Sequence, residues 1–163
     1  MINKFIGFLG ITPPTWLQSP LWSKPAFVVM GLWGAGAGML IWLAGLKSIP
    51  ESSYEAAAID GANPWQQFWR ITFPLLTPYT FFNIVMGTIA TFQIFTQAYI
   101  MTGGGPVDST LFYAYYLFNN AFQYFKMGYA SAIAWILFII VMVMTFIHLK
   151  VAPRWVYYEA ETS

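Results

Sequence analysis

The sequence has no cysteine, a single histidine (His148), and only 7 Lys and Arg with 6 Asp and Glu in 163 residues. Without cysteine there is no thiol nucleophile and no disulfide framework, and one histidine cannot build a Cys/His metal site, so neither a metal nor a cofactor is expected. Charged residues make up 8% of the chain, against roughly 25% in an average soluble domain. That deficit cannot cover a globule's surface, and it excludes a soluble enzyme, a charged tail and a disordered segment. The net charge of +1, with cations scattered along the chain, forms no basic patch and excludes a nucleic-acid partner. No Ser/His/Asp set has the spacing of a known motif. The run Gly103-Gly104-Gly105 continues into Pro106 and not into Lys-Ser/Thr, so there is no phosphate loop and no ATPase of the chain's own.

What the sequence does have is apolar mass: 58% hydrophobic, 20% aromatic and a mean hydropathy of +0.59. The solvent it is built for is lipid. Near the start, Lys4 and the apolar residues 5–11 resemble a secretion signal only superficially. The run is short, ends at Pro13-Pro14 and offers no small-x-small cleavage site, so it reads as part of the protein.

Residues 26–46 carry no charge and, at ~1.5 Å per residue, reach about 31 Å, which matches a hydrocarbon core of about 30 Å. This predicts a first span. Its Gly34-x-x-x-Gly38 pair would admit a neighbouring helix closely, as plain packing or as a mobile gate. A second span is expected over 78–101, with Pro74 and Pro78 breaking the helix before it, and a third over 129–149. Segment 102–128, with Asn119, Asn120 and Gln123 in an aromatic run, predicts an interfacial or re-entrant helix. Most of the eight tryptophans fall near span ends, as an aromatic belt requires, whereas Trp33 and Trp135 are expected deeper, between helices. The fold class is therefore an all-α membrane protein of about three transmembrane helices, in one domain. Segments 1–25 and 102–128 lie on one side of the membrane, and 47–77 and 150–163 on the other. Lys47, Arg70, Lys150 and Arg154 against Lys4, Lys24 and Lys126 barely favour the second side as cytoplasmic.

Residues 47–77 hold Glu51, Glu55 and Asp60 and predict two short helices joined by a tight turn. Ser48 and Glu51 fit a capping box, Gly61 stands where a left-handed cap is needed, Asn63 caps a second helix opening with Pro64, and Pro74 stops it. Ala56 and Ala57 make a face small enough to enter a partner's groove, and Glu55 offers a charge for a partner's arginine. On physical grounds alone, an amphipathic connector resting on headgroups is an equal alternative.

Glu55-Ala56-Ala57, three residues, Gly61, nine residues, then Ile71-Thr72-Phe73-Pro74 resembles the Glu-Ala-Ala coupling motif of permease subunits in bacterial binding-protein-dependent ABC importers. The spacing is fully kept, with Phe73 where leucine is usual. The surrounding Ile49-Pro50, Ile59-Asp60-Gly61-Ala62, Trp65, Phe68, Gly104-Gly105-Pro106 and Gly128-Tyr129-Ala130-Ser131-Ala132 are similar to the carbohydrate-uptake branch, especially the maltose and glycerol-phosphate permeases. The resemblance covers essentially the whole chain and corresponds to the C-terminal half of such a permease. It implies a non-enzymatic, multi-pass subunit of the bacterial cytoplasmic membrane that forms part of a path for a sugar, sugar phosphate or polyol. The implied partners are a second permease subunit in a heterodimer, an ABC ATPase dimer and an extracytoplasmic substrate-binding protein, besides membrane lipid. It also implies that the loop is cytoplasmic and that Glu55, Ala56, Ala57, Asp60, Gly61, Ile71 and Pro74 couple it to the ATPase.

For the path itself, Asn83, Gln93 and Gln97 would share an arc of about 80° on a continuous helix at about 100° per residue. Their amides would meet either sugar hydroxyls, with Phe92, Phe95 or Tyr99 as stacking surfaces, or a neighbouring helix. A channel or helical scaffold without an ATPase is the competing function. A membrane-embedded enzyme is disfavoured because the spans hold no Asp, Glu or Lys.

Overall fold

The computed structural model describes residues 2–8, 15–34 and 36–157. Of the apolar stretch at 5–11 and the prolines at 13 and 14, residues 9–14 lie outside the described residues, as do residues 158–163 of the tail. The described residues contain helices and no strand: α1 (Ile2–Phe8), α2 (Pro20–Trp33), α3 (Gly36–Ser48), α4 (Glu51–Ile59), α5 (Pro64–Gln67), α6 (Phe73–Phe92), α7 (Tyr113–Phe118) and α8 (Met127–Val151). Wider π turns occupy Phe68–Thr72, Ala98–Thr102 and Asn119–Gln123, and a 3-10 turn follows α8 at Ala152–Arg154. Two continuous helices, Pro64–Phe92 and Met127–Arg154, are long and apolar enough to cross a membrane, and Pro20–Trp33 with Gly38–Ser48 adds a third if that pair is one span. The all-α membrane class stands.

The chain forms two compact units, one of Met1–Gly34 with Thr91–Phe138 and the other of Ala35–Ala90 with Ile139–Ser163. In the first unit, the loop after Gly103 is pinned from inside. Gly103 and Gly104 adopt φ of 57° and 88°, which glycine tolerates without penalty. Thr110, fully buried, donates to the Gly105 carbonyl at 2.8 Å and pairs with the Thr102 hydroxyl at 2.6 Å. Ser109 pairs with Ser23 of α2 at 2.9 Å. The expected interfacial helix is α7 continued by the Asn119–Gln123 π turn, and the Tyr113 hydroxyl ties it to the Ile133 carbonyl of α8 at 3.0 Å.

In the second unit, α3 meets the start of α6 through Gly45. A Cβ there would come within 2.6 Å of the Tyr79 ring and 2.9 Å of Leu76, so only glycine fits.

Several expectations are corrected. Helix α2 ends at Gly34, which caps it by donating to Gly31 and Leu32. Gly34 and Gly38 therefore do not share one helical face; Gly38 alone of the pair meets α6, where a Cβ would lie 3.2 Å from Asn83 Oδ1, and the tightest approach is at Gly45. Ser48 is not an N-cap. It ends α3, its hydroxyl donating to the Gly45 carbonyl at 2.8 Å and pairing with Tyr79 at 3.0 Å. The reason is Pro50: the residue before a proline is driven out of the α region, so Ile49 cannot open a helix and α4 starts after an extended Pro50 at φ −63°, ψ 135°.

Pro74 does not stop the second helix, and Pro78 lies inside α6. Pro78 lacks the N–H that would meet the carbonyl of Pro74. The Thr77 hydroxyl supplies the bond instead, at 2.6 Å, a substitution that lets proline persist in membrane helices. Within this chain by itself, Trp33 and Trp135 are 89% and 67% exposed.

Gly45→Leu is expected to unseat α3 from Tyr79 and Leu76 at a cost of at least about 1–3 kcal/mol. Gly31→Ala, where nothing lies within 4 Å, should be neutral or stabilising. Thermal unfolding in detergent, followed by circular dichroism, separates the two.

Candidate functional site

The loop between α3 and α6 is built from local rules. Helix α4 ends on Asp60, with Gly61 at φ 78°. Gly61 N–H donates to Ala58 at 3.0 Å and Ala62 N–H to Ala57 at 2.9 Å, the paired closure of a Schellman motif, which requires a left-handed residue at Gly61. Asn63 then starts α5 with a reciprocal capping box: its side chain accepts from Gln66 N–H at 2.9 Å, and its own N–H donates to the Gln66 side chain at 2.9 Å. Gln67 reaches back to the Ala62 carbonyl at 3.2 Å. Two helices and a two-turn corner are thus fixed almost entirely by residues 57–67.

One longer tie completes the element. The Tyr54 hydroxyl on α4 pairs with the Thr72 hydroxyl at 2.8 Å, and Thr72 is buried. A groove of about 340 Å³ opens between the arms, lined by Ala57, Asp60, Gly61, Ala62, Gln66, Gln67, Arg70 and Ile71. Its walls carry one carboxylate, one guanidinium and two amides around a small-residue floor, which suits a protein side chain or helix end better than a small apolar ligand.

Of the expected coupling residues, Ala57, Asp60, Gly61 and Ile71 meet in this groove. Glu55 and Ala56 stand exposed on α4, and Pro74 lies half-buried in the first turn of α6. Gln66, Gln67 and Arg70 join the lining although the motif does not include them. The Asn63-x-x-Gln66 spacing was a readable signal for Gln66, but nothing local pairs Tyr54 with Thr72.

The amide set expected for a path does not share one regular helix. Helix α6 ends at Phe92, Gln93 is an exposed turn residue, and the exposed Gln97 precedes the Ala98–Thr102 π turn. No proline or glycine lies in residues 93–95; instead the Phe95 ring is drawn against Tyr99, Tyr115 and Phe118 at 5.4, 5.9 and 4.9 Å. Asn83, half-buried in α6, donates to the Tyr79 carbonyl at 3.1 Å. Among the described residues no cluster of His, Asp and Glu could hold a metal.

The corner leads into Pro64–Phe92, one of two helices, with Met127–Arg154, that are long and apolar enough to cross a membrane. Residues 3–157 match the binding-protein-dependent transport system inner membrane component family, and the chain belongs to it. It is 49% identical over 164 residues to the probable ABC transporter permease protein YesP of Bacillus subtilis (strain 168), covering 99% of this chain and 53% of that protein. To the sulfoquinovosyl glycerol transport system permease protein SmoG of Agrobacterium fabrum (strain C58) it is 38% identical over 152 residues, covering 93% and 49%. The chain thus spans about half the length of these curated relatives. A solved bacterial alginate ABC transporter, in complex with alginate pentasaccharide-bound periplasmic protein, shares the fold with a TM-score of 0.82 at 22% identity, over 94% of this chain and 54% of that one.

The corner should depend on its caps. Asn63→Ala removes the side-chain acceptor for the Gln66 N–H, leaving only the backbone bond to the Gln66 side chain, and is expected to cost about 0.5–2 kcal/mol locally. Gly61→Val forces a β-branched residue into φ 78°, at about 1–2 kcal/mol or more, and Gly61→Asn should be milder. Amide hydrogen exchange over residues 57–67 is expected to accelerate in that order of damage, with α8 unchanged.

Proposed function

We propose that this chain forms part of the translocation pathway of an ATP-driven carbohydrate importer, and that the corner at residues 51–72 is its contact with a separate ATPase subunit. The observation that carries this reading is the corner itself: Glu55 projects from a helix whose end is locked by Gly61, Ala62 and Asn63, beside a groove with Asp60 and Arg70. A rigid element with an exposed charge can be pushed by a partner and pass the displacement on, because Pro64–Phe92 is one continuous helix. A flexible connector would absorb it.

The substrate class rests on kinship. SmoG is named for a sulfoquinovosyl glycerol transport system, and the alginate transporter carries an oligosaccharide-bound periplasmic protein. A sugar, sugar phosphate or polyol, delivered by an extracytoplasmic binding protein to a pair of permease subunits, is the reading these relatives support. Asn83, Gln93 and Gln97 are its candidate path residues. The loop faces the cytoplasm in this reading, within the bacterial inner membrane.

Two measurements test it. In this cysteine-free sequence, Ser53→Cys should be blocked only by thiol reagents that enter the cytoplasm, and Ser109→Cys should react from outside; the reverse pattern overturns the orientation and the coupling role together. In the assembled transporter, Glu55→Ala and Gly61→Val should lose ATPase co-purification or substrate-stimulated phosphate release while membrane insertion is kept. Normal association and turnover in both would reduce the corner to a surface connector.

A further inference from the structure

The helix that leaves the corner carries a second face, which the coupling reading does not use. Trp65, Phe68, Trp69 and Phe73 are 70%, 41%, 49% and 47% exposed, yet they form a continuous stair of rings. Trp65 meets Phe68 at 6.1 Å and Trp69 at 5.8 Å, Phe68 meets Trp69 at 5.2 Å, and Trp69 meets Phe73 at 5.3 Å. Gln66, Gln67, Arg70 and Ile71 line the groove, and none of the four rings does. One helix thus presents a polar side to the groove and an aromatic side away from it.

Length says what the aromatic side meets. Pro64–Phe92 has 29 residues, about 43 Å at ~1.5 Å per residue, whereas the hydrocarbon core is about 30 Å thick. About nine residues must therefore lie beyond the core. Arg70, the single charge in the segment, with Gln66 and Gln67, marks the N-terminal end as the excess, because residues 84–92 hold no charged residue. The excess is then the Trp65–Trp69 stretch, and its rings continue at Phe73 into the crossing helix.

We propose that Trp65, Phe68, Trp69 and Phe73 form a docking face for the bilayer surface, seated at the boundary between phospholipid headgroups and acyl chains. Indole and phenyl rings favour that depth, and the indole N–H finds acceptors among headgroup oxygens. The face sets the depth and tilt at which the corner stands, leaving its groove side free.

The test uses the chain reconstituted in nanodiscs of phosphatidylethanolamine and phosphatidylglycerol, with no ATPase present, so its outcome is separate from that of the coupling reading. Nitroxides at Trp69→Cys, Ser52→Cys and Met86→Cys are compared for collision with oxygen and with a water-soluble nickel chelate. The oxygen-to-nickel ratio at position 69 should fall between a high value at 86 and a low value at 52. A ratio equal to that at position 52 overturns the proposal. So does one equal to that at 86, which would put the rings in the hydrocarbon, and so does protection from both reagents, which would mean a protein contact. Should labelling disturb the helix, lipids brominated near the headgroup quench the unlabelled protein instead. Trp65→Phe with Trp69→Phe should remove shallow-quenched emission belonging to two of the eight tryptophans; no loss of that component overturns the proposal.

Discussion

A backbone in hydrocarbon must satisfy its own polar groups, because no water is there to do it. The rest of this structure follows from that constraint. At Pro78 the missing N–H is replaced by the Thr77 hydroxyl on the Pro74 carbonyl, and the same Thr77 oxygen accepts the Tyr157 N–H at 2.9 Å. Thr77 is buried. The chain after α8 is thereby held against the start of α6, where Trp155 also packs on Phe81 at 6.1 Å. Without that relay the Pro74 carbonyl would lose the bond that the Pro78 nitrogen cannot give.

The same constraint inverts the usual core. Apolar burial gives little drive between helices whose alternative is lipid, so close packing of small residues takes over. The buried residues include Ala98, Ala121, Ala130 and Ala152 with Ser23, Thr72, Thr77 and Thr110, whereas Leu32, Trp33, Phe146 and Trp135 are well exposed. Along the 25 residues of α8 only Ala130 and Ile133 are buried.

How much of this was legible in sequence depends on range. Local chemistry was readable: the left-handed Gly61 and the Asn63 cap each follow from residues within a turn or two, whereas the helix expected over 78–101 runs from Pro64 to Phe92 and that expected over 26–46 is divided at Gly34. Misreadings arose where a neighbour's backbone competed with a side-chain preference. Ser48 has a capping side chain, but the restriction Pro50 places on Ile49 outweighs it. Pro74 and Pro78 look like helix breakers until the hydroxyl of Thr77 is seen to replace the lost bond. Gly38 of the Gly-x-x-x-Gly pair does meet Asn83 of α6, but the tightest approach, at Gly45, sits outside the pair, because contact with Tyr79 and Leu76 is a property of two helices and leaves no spacing in one.

The candidate site divides the same way. The motif residues Ala57, Gly61 and Ile71 could be named from spacing, but the groove that joins them to Gln66, Gln67 and Arg70 depends on the angle between α4 and α5, which the Schellman closure and the capping box set together. The amide arc fails for the opposite reason: 100° per residue holds only while the helix lasts, and α6 ends at Phe92. A π turn at Phe68–Thr72 adds one residue to the hydrogen-bonded loop, visible where Phe73 N–H reaches Phe68. That wider turn absorbs Pro74 at its exit, and the ring contacts from Trp65 to Phe73 run through it unbroken. Continuity of the helix and separation of its two faces are therefore achieved by the same five residues.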